Sequence, residues 1–300
     1  MTSSPDSPTQ PPPPTTGAPA HIGTSSWSFD GWKGAFYPEG VTAKGYLAHY
    51  VTQFDTVEVN TSFYALPRPS TLIDWADAAP EGFTYALKTP RAITHDRKLV
   101  DAEADMLAFV DAVRSLGPAA APALLQLPPD LTRATHGRAL AAFLDWLAPR
   151  IPELRLVVEV RAQDLMTAGF ATFLAERGFA LALVERTHNP PVELHALWQE
   201  VVEGGAAPSF AYMRWIGDDR DGPQGDDRVQ FPRPTELATW AQRIDALSRR
   251  GITCYGYAHN PFEGHAPATA RSLRALLAQA GVPVFEPGST GQLPLFDAGR

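Results

Sequence analysis

The sequence has one cysteine, Cys254, in 300 residues. A lone thiol permits no intrachain disulfide and no thiolate metal cluster, which suits a reducing compartment. Positive charge is also scarce, with a net charge of −8. That balance argues against broad electrostatic coating of nucleic acid, though not against a local basic cleft. No apolar run approaches the roughly 20 residues of a membrane span. The N-terminus has neither the basic n-region nor the apolar h-region of a secretory signal. Together these absences predict a soluble, cytoplasmic protein with no membrane partner. Several motifs are missing too: no G-x-G-x-x-G or G-x-x-x-x-G-K-[ST] follows a strand-like run, and there is no H-E-x-x-H or G-x-S-x-G. Dinucleotide-binding, P-loop, zincin and nucleophile-elbow chemistries therefore have no local support.

Proline is concentrated at the front, in MTSSPDSPTQPPPPTTGAP. A proline-rich stretch with few apolar side chains cannot build a packed core, so residues 1–20 are expected to be disordered. A proline-rich ligand for an aromatic groove is the weaker reading, because PPPP is a weak signal.

From His21 onward, strand-like and helix-like runs alternate. Eight strand-like runs stand out, at residues 21–27, 56–60, 83–89, 123–127, 154–161, 180–186, 210–216 and 253–259. Most are short, apolar and bounded by Gly or Pro, as parallel strands covered on both faces should be. Helix-period segments fall between them at 43–54, 104–116, 138–147, 170–177, 237–247 and 268–278. Gly178 and Gly251 follow such segments and mark helix ends. The polar stretch 218–233 reads as a long loop after the seventh strand. Eight repeats of this alternation favour an α/β fold of the closed (β/α)8 TIM-like barrel type over an open sheet. The expected domain is 21–285, followed by a flexible tail, 286–300.

In such barrels, ligand sites lie at the C-terminal ends of the strands. The polar residues there are Trp27 after the first run, Glu58, Asn60 and Tyr64 after the second, and Lys88 and His95 after the third. Gln126, Glu159, Arg161, Glu185, Arg214, Trp215, Tyr257, His259 and Asn260 continue the series. Glu58 and Asn60, Glu159 and Arg161, and Tyr257 and His259 are each two apart, so each pair shares a strand face. Polar groups inside apolar strands are costly unless paired or hydrated. A ring of structural ion pairs would account for any single member, but the set as a whole predicts a ligand site. Cations and flat rings together suit an anionic, planar or sugar-bearing ligand such as a nucleotide. In a catalytic version, Glu58 or Glu159 is the acid or base, while Lys88, Arg161 and Arg214 hold phosphate or developing negative charge. The alternative use of the two carboxylates is a glycosidase pair, which their separation would decide. No cofactor is specified. A divalent metal held by some of His95, His188, His259, His265, Glu159 and Glu185 stays open, without a ligand spacing to support it.

The same segments resemble one family, the YecE-like proteins, or domain of unknown function seventy-two. The resemblance lies in Gly23-Thr24-Ser25-Ser26-Trp27, Trp32-Lys33-Gly34, Phe36-Tyr37-Pro38, Val57-Glu58-Val59-Asn60, Ser62-Phe63-Tyr64 and Lys88 with Ile93-Thr94-His95. It continues through Gln126-Leu127-Pro128-Pro129, Glu159-Val160-Arg161, Tyr212-Met213-Arg214 and Tyr257-Ala258-His259-Asn260. It implies a TIM-like barrel with these residues lining one mouth, and it brings no established reaction. The fold it implies is similar to sugar isomerases and metal-dependent abasic-site endonucleases, whose dense His/Asp/Glu metal set this sequence lacks. The family's last-strand motif resembles Phe-Asn-Asn, so His259 is a departure.

The tail contains Gln292-Leu293-Pro294-Leu295-Phe296, which resembles the bacterial sliding-clamp-binding pentapeptide Gln-Leu-(Ser/Asp)-Leu-Phe. Leu295 and Phe296 would anchor in an apolar pocket, with Gln292 hydrogen-bonding beside it. Four specified positions match by chance at roughly one site in 10^5. These features predict a DNA-maintenance accessory protein whose barrel binds or hydrolyses a nucleic-acid or phosphate-bearing ligand. The rivals are a non-catalytic binding module and a carbohydrate-active hydrolase unrelated to DNA.

Overall fold

A computed structural model describes residues 17–187, 194–205 and 208–287. The strands are β1 (Ala20–Ser25), β2 (Thr56–Val59), β3 (Thr84–Leu87), β4 (Ala123–Gln126), β5 (Leu156–Glu159), β6 (Ala180–Leu181), β7 (Leu183–Arg186), β8 (Phe210–Gly217) and β9 (Thr253–Ala258). They form two sheets, ordered β3-β2-β1-β9-β8-β7 and β4-β5-β6, with every strand pairing parallel. Bridges at Tyr85–Ala120 and Lys88–Leu124 join β3 to β4. Only Ala182 separates β6 from β7, and its N–H donates to Val158 O at 2.9 Å. These two strands are therefore halves of one interrupted stave. Eight staves close into a (β/α)8 TIM-like barrel, at the eight places the sequence predicts.

The alternation of side chains across each strand creates two cores. Outward residues such as Ile22, Val57, Leu125, Val158 and Met213 pack under the helices. Inward residues fill the barrel: Ala86, Leu124, Val157, Ala182, Val184, Phe210, Tyr212, Tyr255 and Tyr257. Helices predicted by periodicity occupy 103–115, 133–147, 168–175, 234–249 and 266–279, and a shorter one covers 46–50. Thr132 caps the second of these by accepting from Thr135 N at 3.1 Å. Gly178 and Gly251, at φ +73° and +77°, make the left-handed turns from helix into strand. Helices Pro69–Ala78 and Leu194–Glu203 were not predicted. The first hides behind Pro67 and Pro69, but Pro69 sits at its first turn, where proline is tolerated.

The bottom of the barrel is closed by the segments before β1 and after the last helix. Ala20 pairs with Val284, and Ala18 N donates to Ser248 O at 2.9 Å. Residues 17–20, at the end of the proline-rich segment, are among those described, and Ala20 is the first residue of β1. The rest of the proline-rich segment and the clamp-like peptide lie outside the described residues. Stretch 218–233 carries no helix or strand, as predicted, and crosses the opposite, C-terminal face. No helix among the described residues is long and apolar enough to cross a membrane.

Candidate functional site

Three strands bring the central group together. Inward positions of β2, β5 and β8 carry Glu58, Glu159 and Arg214, all buried. Arg214 lies between the two carboxylates. Its Nε donates to Glu58 Oε2 and its Nη2 to Oε1, both at 2.8 Å, while Nη1 donates to Glu159 Oε2 at 2.5 Å. Tyr212 Oη, one step lower on the same face of β8, donates to Glu58 Oε2 at 2.8 Å. Arg161 Nε takes the other oxygen of Glu159 at 2.5 Å.

This geometry fixes the charge states. Burial pushes the Glu58 carboxyl up, but the Arg214 guanidinium, then His259 and the hydrogen bonds, outweigh it and hold the group down at about 2. Glu159 is likewise opposed by burial, yet Arg161, Arg214 and Lys88 hold it well below the usual carboxylate range. His259 Nε2 lies 3.6 Å from Glu58 Oε1 and makes no hydrogen bond. Burial first, and Arg214 next, push its imidazole down to about 3, so it is neutral near pH 7.

Lys88 stands apart from this network. It follows β3, and its backbone is clamped by Ser62: its N–H donates to Ser62 Oγ at 3.0 Å, and Ser62 Oγ donates to its carbonyl at 2.7 Å. Its Nζ sits 4.0 Å from the centre of the Phe63 ring. Among the described residues, no carboxylate oxygen lies within 4.0 Å of that nitrogen. Burial and the neighbouring Arg214 lower it to about 8, against the pull of Glu159 and Glu58.

Above these groups opens a cavity of about 290 Å³, lined by Asn60, Tyr64, Lys88, Gln126, Arg161, Arg214 and His259 among the predicted residues. Glu58 and Glu159 lie beneath as supports of Arg214. Asn60 is tied to Ser25 by a side-chain hydrogen bond. Phe63, which the family resemblance implies, also lines the cavity, with Ile216, Asp219 and Pro261, which the sequence reading does not include. Ile216 lies two residues beyond Arg214 on the same strand face, a spacing that could have found it.

Six predicted residues fall elsewhere. Trp215 points outward and packs edge-on against Trp240, with centroids 5.7 Å apart. Glu185 also faces outward and accepts from Trp240 Nε1. Trp27 follows Ser26, whose φ of +68° turns the chain, and packs on Trp75 and Tyr85 instead. Tyr257 lies one layer down, its hydroxyl 2.8 Å from Thr56 Oγ1. Asn260 accepts from Trp32 Nε1 at 3.1 Å and Ala266 N at 3.0 Å, securing the corner after β9. His95 packs behind Phe63, with ring centroids 5.0 Å apart.

The candidate metal ligands do not converge. Both oxygens of Glu159 face guanidinium groups, Glu185 is on the outer face, and His265 Nδ1 lies 2.8 Å from Asp226 O. His188 lies outside the described residues. Among those described, no three His, Cys, Asp or Glu side chains gather as a metal-binding group.

Comparison with known proteins gives a consistent result. The family model described as "Protein of unknown function DUF72" matches residues 21–292. The UPF0759 protein YecE of Escherichia coli O157:H7 is 30% identical over 276 residues, covering 84% of this chain and 90% of that protein. Its counterpart from strain K12 is 27% identical over 268 residues, with the same coverage of 84% and 90%. A solved DUF72 family structure from Thermotoga maritima superposes with a TM-score of 0.69 at 24% identity, over 86% of this chain and 98% of that one. One from Enterococcus faecalis gives 0.67 at 18% identity, over 86% and 95%. At these identities, the two structures bear on the fold alone.

Proposed function

Given a chain that belongs to the DUF72 family, we propose that its barrel mouth binds an anionic, phosphate-bearing ligand of nucleic-acid type. The observation that carries this reading is Lys88, a buried cation facing the cavity without a carboxylate partner among the described residues. Lys88, Arg161 and Arg214 supply three positive charges at the site, while Glu58 and Glu159 supply two negative ones. His259 is neutral, and Arg186 at the rim is matched by Asp219 at 2.6 Å. Among the described residues Lys88 is the cation of this group without a carboxylate partner, and its burial strengthens the attraction it offers a ligand anion. Tyr64, 81% exposed beside the cavity, offers a flat surface for a base or sugar.

The same geometry weakens the glycosidase reading. That chemistry needs one carboxylic acid kept protonated, whereas Glu58 and Glu159 are both held ionised by guanidinium groups. The link to DNA rests on the tail. In this reading Gln292, Leu293, Leu295 and Phe296 dock on the sliding clamp and bring the barrel to DNA as an accessory protein of DNA maintenance.

The test is fluorescence anisotropy with a short single-stranded oligonucleotide, with and without a 5′-phosphate, at several salt concentrations. Tighter binding of the phosphorylated strand, weakened by Arg161→Ala and by added inorganic phosphate, is expected. Equal affinity for both strands, or binding indifferent to Arg161→Ala, would remove the reading.

A further inference from the structure

We propose that Lys88 is a nucleophile: its Nζ attacks the aldehyde or ketone carbon of a phosphate-bearing carbonyl compound held in the barrel mouth and forms an imine with it. This deepens, and rests on, the anionic-ligand reading above.

Lys88 points into the barrel at the C-terminal end of its strand, is 8% exposed and lines the cavity. Its backbone is pinned on both sides by Ser62 Oγ, and its Nζ lies over the Phe63 ring, 4.0 Å from the centre. The backbone at position 88 is thus fixed, and the ring contact places the nitrogen at the cavity wall.

Of 25 basic residues only four are lysine: Lys33, Lys44, Lys88 and Lys98. Lys33 and Lys98 pair with Asp30 and Asp130 at 3.0 and 2.5 Å, and Lys44 is exposed. At the mouth, the fixed cations are arginines, at 161 and 214. A permanent charge at position 88 could have been a third arginine. Lysine differs in that it can shed a proton and become a nucleophile. An ion-paired lysine resists that loss, but Lys88 has no carboxylate pair among the described residues and two arginines as neighbours. Burial and these cations bring its amine to about 8, so a useful fraction is neutral in mildly alkaline solution.

In the reaction, the Nζ lone pair bonds to the carbonyl carbon, the C=O π pair moves onto oxygen, and a proton passes from nitrogen to oxygen to give a carbinolamine. The oxygen then takes a second proton and leaves as water, while nitrogen gives up its remaining proton and forms C=N. The sum is amine plus carbonyl giving imine plus water, with no net redox change. Arg161 and Arg214 hold the phosphate, so that the carbonyl lies toward Lys88.

The experiment treats the whole protein with glyceraldehyde 3-phosphate and cyanoborohydride at pH 8, with intact-mass measurement and peptide mapping. The borohydride reduces any imine to a stable secondary amine. The expected result is one dominant adduct on Lys88, formed at least tenfold faster than with uncharged glyceraldehyde and suppressed by excess inorganic phosphate. Lys88→Arg keeps the charge and should take up no adduct at that position, with its melting curve checked for folding. Modification spread evenly over Lys33, Lys44, Lys88 and Lys98 in the unaltered protein would overturn the proposal. Phosphate binding is measured in parallel by calorimetry. Bound phosphate without a Lys88 adduct would sink the imine and leave the anion site standing; neither binding nor adduct would remove both.

Discussion

Arg214 meets Glu58 side-on, with Nε and Nη2 each 2.8 Å from a different oxygen of the same carboxylate. Both groups are buried, so the pair is a fork-to-fork contact out of water. Such a pair adds little net stability over well-packed apolar residues, but it is costly to break from one side. Glu58→Met should therefore destabilise the protein by about 3–5 kcal/mol at pH 7, because Arg214 is left charged and half-partnered. Glu58→Met with Arg214→Met should be more stable than the single variant while binding no anion. Urea denaturation of both, beside a phosphate titration, checks this; a double variant less stable than the single would mean the pair holds the barrel together rather than shaping the site.

Lys88 gives a pH dependence of definite sign. Its amine is lowered from 10.5 to about 8 in the fold, so between these values the unfolded chain binds more protons. Stability then rises with pH across that window, and the cost of burying the charge is fully present below about pH 8. Lys88→Met should be the more stable form at pH 7, by on the order of 3 kcal/mol, with the difference shrinking toward pH 10.5. Thermal melts of both proteins from pH 7 to 10.5 decide it, and a constant gap would mean that Lys88 is well hydrated.

His259 shapes the acid side. Its imidazole falls from 6.5 to about 3 in the fold, so the unfolded chain again binds the extra proton, and stability declines as pH drops below 6.5. Glu58 adds a second loss at lower pH: its contribution is present above 4.5 and disappears as pH falls toward about 2. His259→Gln should flatten the decline between pH 6.5 and 4.5 and leave the steeper loss below it. Melting temperatures that still fall in parallel with the unaltered protein would assign the decline to other groups.

The barrel and most of its mouth were legible in the sequence because spacing in a strand is simple geometry. Glu58 with Asn60, and Glu159 with Arg161, share a face in sequence and in space, and Arg214 lies opposite them on its own inward face. Glu185 and Trp215 show where that reading fails. Parallel strands are buried on both faces, so polarity does not alternate and an outward Glu or Trp looks like an inward one. The break at Ala182 and the register shift between Glu185 and Arg186 further obscure the phase of that stave. Asn260 was misplaced for another reason. Its neighbour Trp32 is 228 residues away, and a corner bond over that distance leaves no local pattern. That Lys88 has no carboxylate partner among the described residues was equally hidden, since it is a three-dimensional property.

The tail makes a prediction independent of the barrel. Purified sliding clamp should bind the full chain saturably, and Leu295→Ala with Phe296→Ala should weaken that binding at least tenfold by removing the two apolar anchors. Barrel stability and phosphate affinity should be unchanged. An intact chain that does not bind the clamp would remove the specific link to DNA and redirect the search toward small phosphates.

Tyr64 separates a nucleotide ligand from a bare phosphate. Its ring is 81% exposed at the edge of the cavity and packs on Phe63, with centroids 5.3 Å apart and planes at 80°. An exposed aromatic contributes little to stability, so Tyr64→Ala should change unfolding by no more than about 0.5 kcal/mol. If a base stacks there, the same substitution should cost about 1–3 kcal/mol in affinity for a phosphorylated oligonucleotide. Inorganic phosphate makes no ring contact, and its affinity should stay the same. Anisotropy and calorimetry on one variant give both numbers. Equal losses for the two ligands would mean that Tyr64 shapes the pocket, and no loss for either would place the base outside the mouth.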